Sequence, residues 1–145
     1  MRDYRKMLVC LDLTEDSEKI AERAKALAAT FGAEITLLHV VEYVPVEPMG
    51  EALLPAVQIE GELAERARLR IVELAGKLGL EGCEQLVQTG NIKTEVVRIA
   101  QARAVDLIVI GSRERHGVSI LFNFTEDTVL HAAPCDVLAV RLHRE

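Results

Sequence analysis

Short aliphatic runs alternate along the chain with longer stretches in which apolar residues recur at helical spacing. The first run covers residues 7–13 and carries one acid, Asp12. Ile20, Ala24, Leu27 and Phe31 follow on one helical face, and Gly32 predicts a C-terminal stop. A second run, residues 35–41, reads as another buried strand. Both runs are apolar at consecutive positions, the pattern of parallel strands covered on two faces.

Residues 42–57 interrupt this rhythm. Pro45, Pro48 and Pro55 lie there with Met49 and Gly50, which predicts a loop. Beyond it, Leu63, Ala67, Ile71, Leu74 and Leu78 form the stripe of a second helix, ended by Gly79 and Gly82. Residues 84–89 predict a more polar strand, which places it at a sheet edge. Gly90 and Asn91 form a turn, with Asn91 capping a helix that carries Val96, Ile99 and Ala100. Residues 106–111 predict the next buried strand and residues 112–117 a polar loop. A fourth helix ends near His131, Pro134 closes it, and residues 135–142 form the final strand. Five strands alternating with four helices predict an α/β fold, an open, doubly wound parallel sheet with helices on both faces. Ligands of such sheets bind at the carboxyl ends of the strands, where the strand order reverses.

Composition narrows the reading. At 145 residues and 16.0 kDa the chain has room for one domain, expected to span residues 1–145. Area scaling predicts that folding buries roughly 68% of the extended-chain surface, enough for a core without disulfides or metals. Lys and Arg total 17 against 23 Asp and Glu, a net charge of −6. Nucleic-acid binding usually needs a basic face. Arg66, Arg68 and Arg70 lie among Glu62, Glu65 and Glu73 on the solvated side of a helix and supply none, so no nucleic-acid partner is expected. Cys10, Cys83 and Cys135 form no CxxC and are odd in number, which predicts reduced thiols and a cytoplasmic setting. No cleavage-site pattern follows residues 1–6, and no apolar stretch approaches the ~18 residues of a membrane span, so neither secretion nor a membrane partner is expected.

Familiar reactive motifs are missing. The chain contains no Gly-x-x-x-x-Gly-Lys-Ser/Thr, no Gly-x-Gly-x-x-Gly and no Gly-x-Ser-x-Gly. His39, His116, His131 and His143 are scattered without zinc spacing. Two features remain. Asp12 sits at the carboxyl end of an apolar run, where it either caps the amides of the next loop or touches a ligand. Residues 111–125 read as a strand end, a polar loop and a helix N-terminus.

Several pieces in order carry a resemblance that covers almost the whole chain. They are Met7-Leu8-Val9-Cys10-Leu11-Asp12 with the loop at residues 14–17, Leu38-His39-Val40, Gly90, Asp106-Leu107-Ile108-Val109-Ile110-Gly111-Ser112, and His131-Ala132-Ala133-Pro134-Cys135-Asp136-Val137-Leu138-Ala139-Val140. In this order and spacing the chain resembles a universal stress protein of the UspA type. The resemblance implies a Rossmann-like sheet of strand order 3-2-1-4-5. It also implies a stress-response role without catalysis.

Many members of that family bind ATP through Gly-x-x-Gly, nine residues, then Gly-Ser/Thr. Laid on this sequence without gaps, the pattern puts Gly111 first and Thr125 last. Glu114 and Phe124 stand where the second and third glycines would be. Asp12 and Val40 match positions that meet the ribose and adenine in ATP-binding members. Glu114 would set a carboxylate against phosphate oxygens, and Phe124 a bulky side chain at a close backbone approach. Glu126 and Asp127 already satisfy the dipole of the helix that follows. Two lost phosphate hydrogen bonds at ~1.5–3 kcal/mol each lower affinity by a factor on the order of 10²–10⁴. The resemblance thus implies no tightly held cofactor, with ATP or AMP bound weakly at most. A retained nucleotide site would use Asp12, Val40, Gly111 and Thr125 through a rearranged phosphate loop. For partners it implies a homodimer through the final strand (Val137, Leu138, Val140 and Leu142) and unidentified protein partners.

Overall fold

Eight elements follow the predicted alternation in a computed structural model that describes residues 3–42, 53–113, 129 and 131–142. They are β1 (Lys6–Cys10), α1 (Ser17–Phe31), β2 (Glu34–Val41), α2 (Leu53–Lys77), β3 (Glu84–Thr89), α3 (Ile92–Ala102), β4 (Leu107–Arg113) and β5 (Asp136–Leu142). Every strand pair is parallel, and the sheet order is β3-β2-β1-β4-β5. The Rossmann-like fold and the strand order are as expected, with the polar β3 and the aliphatic β5 at the two edges. Val129, His131 and Ala132 are helical and lead into β5, where the fourth predicted helix should end.

Strand periodicity sorts the core onto two faces. Met7 and Val9, Leu37, and Leu107 and Val109 pack with Ile20, Ala21, Ala24 and Ala28 of α1 and Ile71 and Ala75 of α2. Leu8, Leu38, Ile108 and Ile110 pack on the opposite face with Val96, Ile99 and Ala100 of α3 and with Val129. Leu8, Val9, Ile108 and Val109 are fully inaccessible. Each such side chain contributes about 1.5–3 kcal/mol by leaving water. The helix ends follow local chemistry. Gly32 takes φ 67° and returns its N–H to the Ala28 carbonyl, while the Asn91 side chain accepts from the Thr94 amide at 3.0 Å.

Four expectations are corrected. First, α2 begins at Leu53, so Pro55 lies in a helical first turn, where its missing N–H would have had no intrahelical partner. Second, Leu63 is 37% exposed and Ala64 takes the buried position, because helices pressed against a sheet pack on small residues. Third, Ser112 and Arg113 extend β4 by pairing with Arg141 and Leu142 of β5, so the loop predicted from 112 starts later. Finally, Val140 and Leu142 are each only 6% exposed and belong to the chain's own core, whereas Val137 and Leu138 are half-buried. The loop predicted at 42–57 lies, for residues 43–52, outside the described residues.

Candidate functional site

A cleft of about 170 Å³ opens at the carboxyl ends of β1, β2 and β4. It stands over the junction of β1 and β4, where the winding of the sheet reverses. Cys10, Leu38, Val40, Ile92, Val96, Ile110 and Val129 make one wall, and Ile20 and Leu142 reach it from the other face. Among its described lining residues Asp12 and His39 carry the polar side chains, and no Lys or Arg occurs.

The loop after β1 is held in an unusual shape. β1 ends at Cys10, and the Leu11 amide donates to the Leu38 carbonyl at 2.8 Å. His39 Nδ1 lies 2.7 Å from the Leu11 carbonyl. A carbonyl can only accept, so Nδ1 carries the proton and the ring holds the loop to β2. Leu13 then adopts φ 60°, a left-handed conformation that costs a branched residue about 1–2 kcal/mol. Asp12 offsets the strain. Its Oδ1 accepts from the Thr14 amide at 3.1 Å, Thr14 Oγ1 at 2.7 Å and Ser17 Oγ at 2.9 Å. Ser17 is 1% exposed, so Asp12 also satisfies a buried hydroxyl in the first turn of α1.

Asp12 therefore does what one of its two readings required: it organises the loop. It is not the buried strand acid the sequence suggested, since it is exposed and lies beyond the end of β1. Across the cleft, the Gly90 amide donates to the Val41 carbonyl at 3.0 Å and Glu42 Oε1 accepts the Ile92 amide at 3.0 Å. These bonds fix the start of α3 and with it Ile92 and Val96. Gly111 has a packing reason to be glycine. A Cβ there would lie 2.6 Å from Ile20 Cδ1 and 3.0 Å from Leu142 Cδ1. Burial pushes the Cys10 thiol up to about 12, which keeps it protonated and unreactive. Cys83 is also raised, by desolvation and then by the charge of Glu81.

Of the predicted ligand residues, Asp12, Val40 and Gly111 meet at the cleft. Thr125, with Glu114, Phe124, Glu126 and Asp127, lies outside the described residues. Thr14, Ser17 and His39 hold the site in place and had not been assigned roles. The spacing Asp12, Thr14, Ser17 just before a helix was their available signal, because hydroxyls there commonly bond a preceding acid. Among the described residues no cluster of His, Cys, Asp and Glu is arranged to hold a metal. None of the described helices is long and apolar enough to cross a membrane.

The model of the universal stress protein family matches residues 3–141. Universal stress protein A homolog 2 of Coxiella burnetii is 38% identical over 143 residues, covering 98% of each chain. Among solved structures, universal stress protein UspA from Lactobacillus plantarum superposes with a TM-score of 0.72 at 23% identity, covering 97% of this chain and 100% of that one. A universal stress protein solved in complex with cAMP gives 0.68 at 19% identity, covering 98% and 100%.

Proposed function

This chain belongs to the universal stress protein family, and from that premise we propose that it acts in the cytoplasmic stress response by binding rather than by catalysis. In this reading residues 1–145 form a single domain. It works as a homodimer that engages protein partners, with ATP held weakly or not at all. The observation that carries the reading is the character of the cleft: aliphatic walls, the Asp12 carboxylate, and no Lys or Arg among the described lining residues. Among the described lining residues a polyphosphate would meet the Asp12 carboxylate and no Lys or Arg. Glu114 and Phe124, at two positions where ATP-binding relatives carry glycine, work in the same direction.

The edge strand supports assembly. β5 pairs only with β4 among the described strands and presents half-buried Val137 and Leu138 beside exposed Ala139. Such edges invite pairing, and a second copy of the same strand satisfies twofold symmetry. With Val140 and Leu142 in the core, the contact would run through the strand backbone and Val137 and Leu138.

A second reading is a nucleotide sensor. It is favoured by the gathering of Asp12, Val40 and Gly111 at the cleft, and by the relative solved with cAMP. Native mass spectrometry of the purified protein separates the two. A dimer without retained nucleotide supports the first reading. A nucleotide adduct favours the sensor, and a 16.0 kDa monomer at micromolar concentration contradicts the dimer.

A further inference from the structure

We infer that the solvent face of α2 is a second self-association surface, on which α2 of another copy packs antiparallel. It lies apart from the β5 edge and does not depend on pairing there. Leu69 and Val72 are 64% and 59% exposed, one turn apart, on the side of the helix opposite its buried Ala64, Ala67, Ile71 and Ala75. Glu65 and Gly76, both exposed, continue the line. The steps of four, three and four residues are those of a coiled-coil seam.

Gly76 is the second sign. Glycine inside a helix destabilises it relative to alanine, and is kept where the backbone turns left-handed or another group comes close. Gly76 is not among the positive-φ residues, and no described atom lies within 4 Å of an added Cβ. A close approach from outside the chain supplies the missing reason.

Self-complementarity chooses the occupant. With a twofold axis between Arg70 and Ile71, Leu69 of each copy meets Val72 of the other, and each Gly76 faces Glu65 of the other. Arg66 and Glu73 flank the seam on one side, so the same axis brings each Arg66 beside the other copy's Glu73. Both are exposed, and neither is in an ion pair among the described residues. A parallel pair would instead set Arg66 against Arg68. One helix pair buries less than the roughly 1,200 Å² of stable complexes, so a Kd on the order of 10⁻⁴ M is expected.

The test is sedimentation equilibrium of the full chain from about 10 μM to about 1 mM. The mass is expected to rise at least twofold over that range, whether the species at low concentration is a monomer or a β5 dimer. Leu69→Lys should weaken the step more than tenfold with Tm unchanged, because the side chain is exposed. Gly76→Gln, a better helix former, should raise Tm and still weaken the step. Arg66→Glu and Glu73→Arg should each weaken it about tenfold, and the two combined should restore it. These residues stand two turns apart, about 10 Å, so the restoration has to come from between chains. A constant dimer mass overturns this inference alone, and a constant monomer mass overturns the β5 dimer as well. The inference is also overturned if Leu69→Lys leaves the rise unchanged, or if the double exchange associates no better than the single ones.

Discussion

Gly111→Ala adds one methyl group at a place where the structure has no room. The new Cβ would sit 2.6 Å from Ile20 Cδ1 and 3.0 Å from Leu142 Cδ1. Carbon atoms prefer about 3.5–4.0 Å, so α1 or β5 must shift. Overpacking of this kind costs about 1–3 kcal/mol. The smaller entropy of the unfolded alanine chain returns about 0.4–1 kcal/mol. The net loss is therefore about 1–2 kcal/mol, or a fall in Tm of roughly 3–8 °C for a domain of this size. Ile20→Val removes the Cδ1 atom itself and costs about 0.5–1.5 kcal/mol alone. Urea denaturation of the single and double variants closes the cycle. The double variant should be more stable than the sum of the two losses by about 0.5–1 kcal/mol, as expected for residues in contact. Additivity within about 0.3 kcal/mol would refute the contact. The outcome bears on function, because the resemblance would set Gly111 at the first glycine position of an ATP motif. A large coupling shows that the fold requires this glycine whether or not a phosphate is bound.

Ala104 sits exposed at φ 51° just past α3, so Ala104→Gly should raise stability by about 0.5–1 kcal/mol, read as a higher Tm. The Cys10 thiol, whose ordinary value is 9.0, stays protonated in the folded chain to about 12. Its contribution is complete below about pH 9 and is lost as pH rises towards 12, at about 1.4 kcal/mol per pH unit. Cys10→Ala should flatten that alkaline decline in urea midpoints, and an unchanged slope would contradict the assignment. Glu114→Gly combined with Phe124→Gly should strengthen ATP binding by calorimetry. If the double variant ignores ATP as before, Glu126 and Asp127 become the residues to change.

Much of the fold was legible because its signals are local. Consecutive apolar residues marked β1, β2 and β4 as strands buried on two faces, and Gly32 and Asn91 marked helix ends where the structure has them. The misreadings arose where tertiary contacts override a local sign. Pro55 reads as a loop residue, yet a proline is tolerated in a helical first turn. Leu63 outweighs Ala64 on a hydrophobicity count, but close approach to a sheet selects the alanine. Ser112 and Arg113 look like loop residues until the register of β5 gives them partners. Of the site, Asp12, Val40 and Gly111 were legible through the resemblance. The ring of His39, the hydroxyls of Thr14 and Ser17, and the strained Leu13 were not, because their roles depend on how the loop folds back across β2 and α1.

Weak ATP binding is the central claim, and thermal melting with and without millimolar Mg-ATP tests it most directly. A ligand that binds only the folded state stabilises it by RT ln(1 + [L]/Kd). At millimolar ATP a micromolar site contributes about 4 kcal/mol and a millimolar site about 0.4 kcal/mol. At roughly 2–4 °C or slightly more per kcal/mol, these correspond to shifts of about ten degrees and about one degree. The account predicts a shift of about one degree or less. A shift near ten degrees would contradict it and show that the folded chain binds ATP tightly.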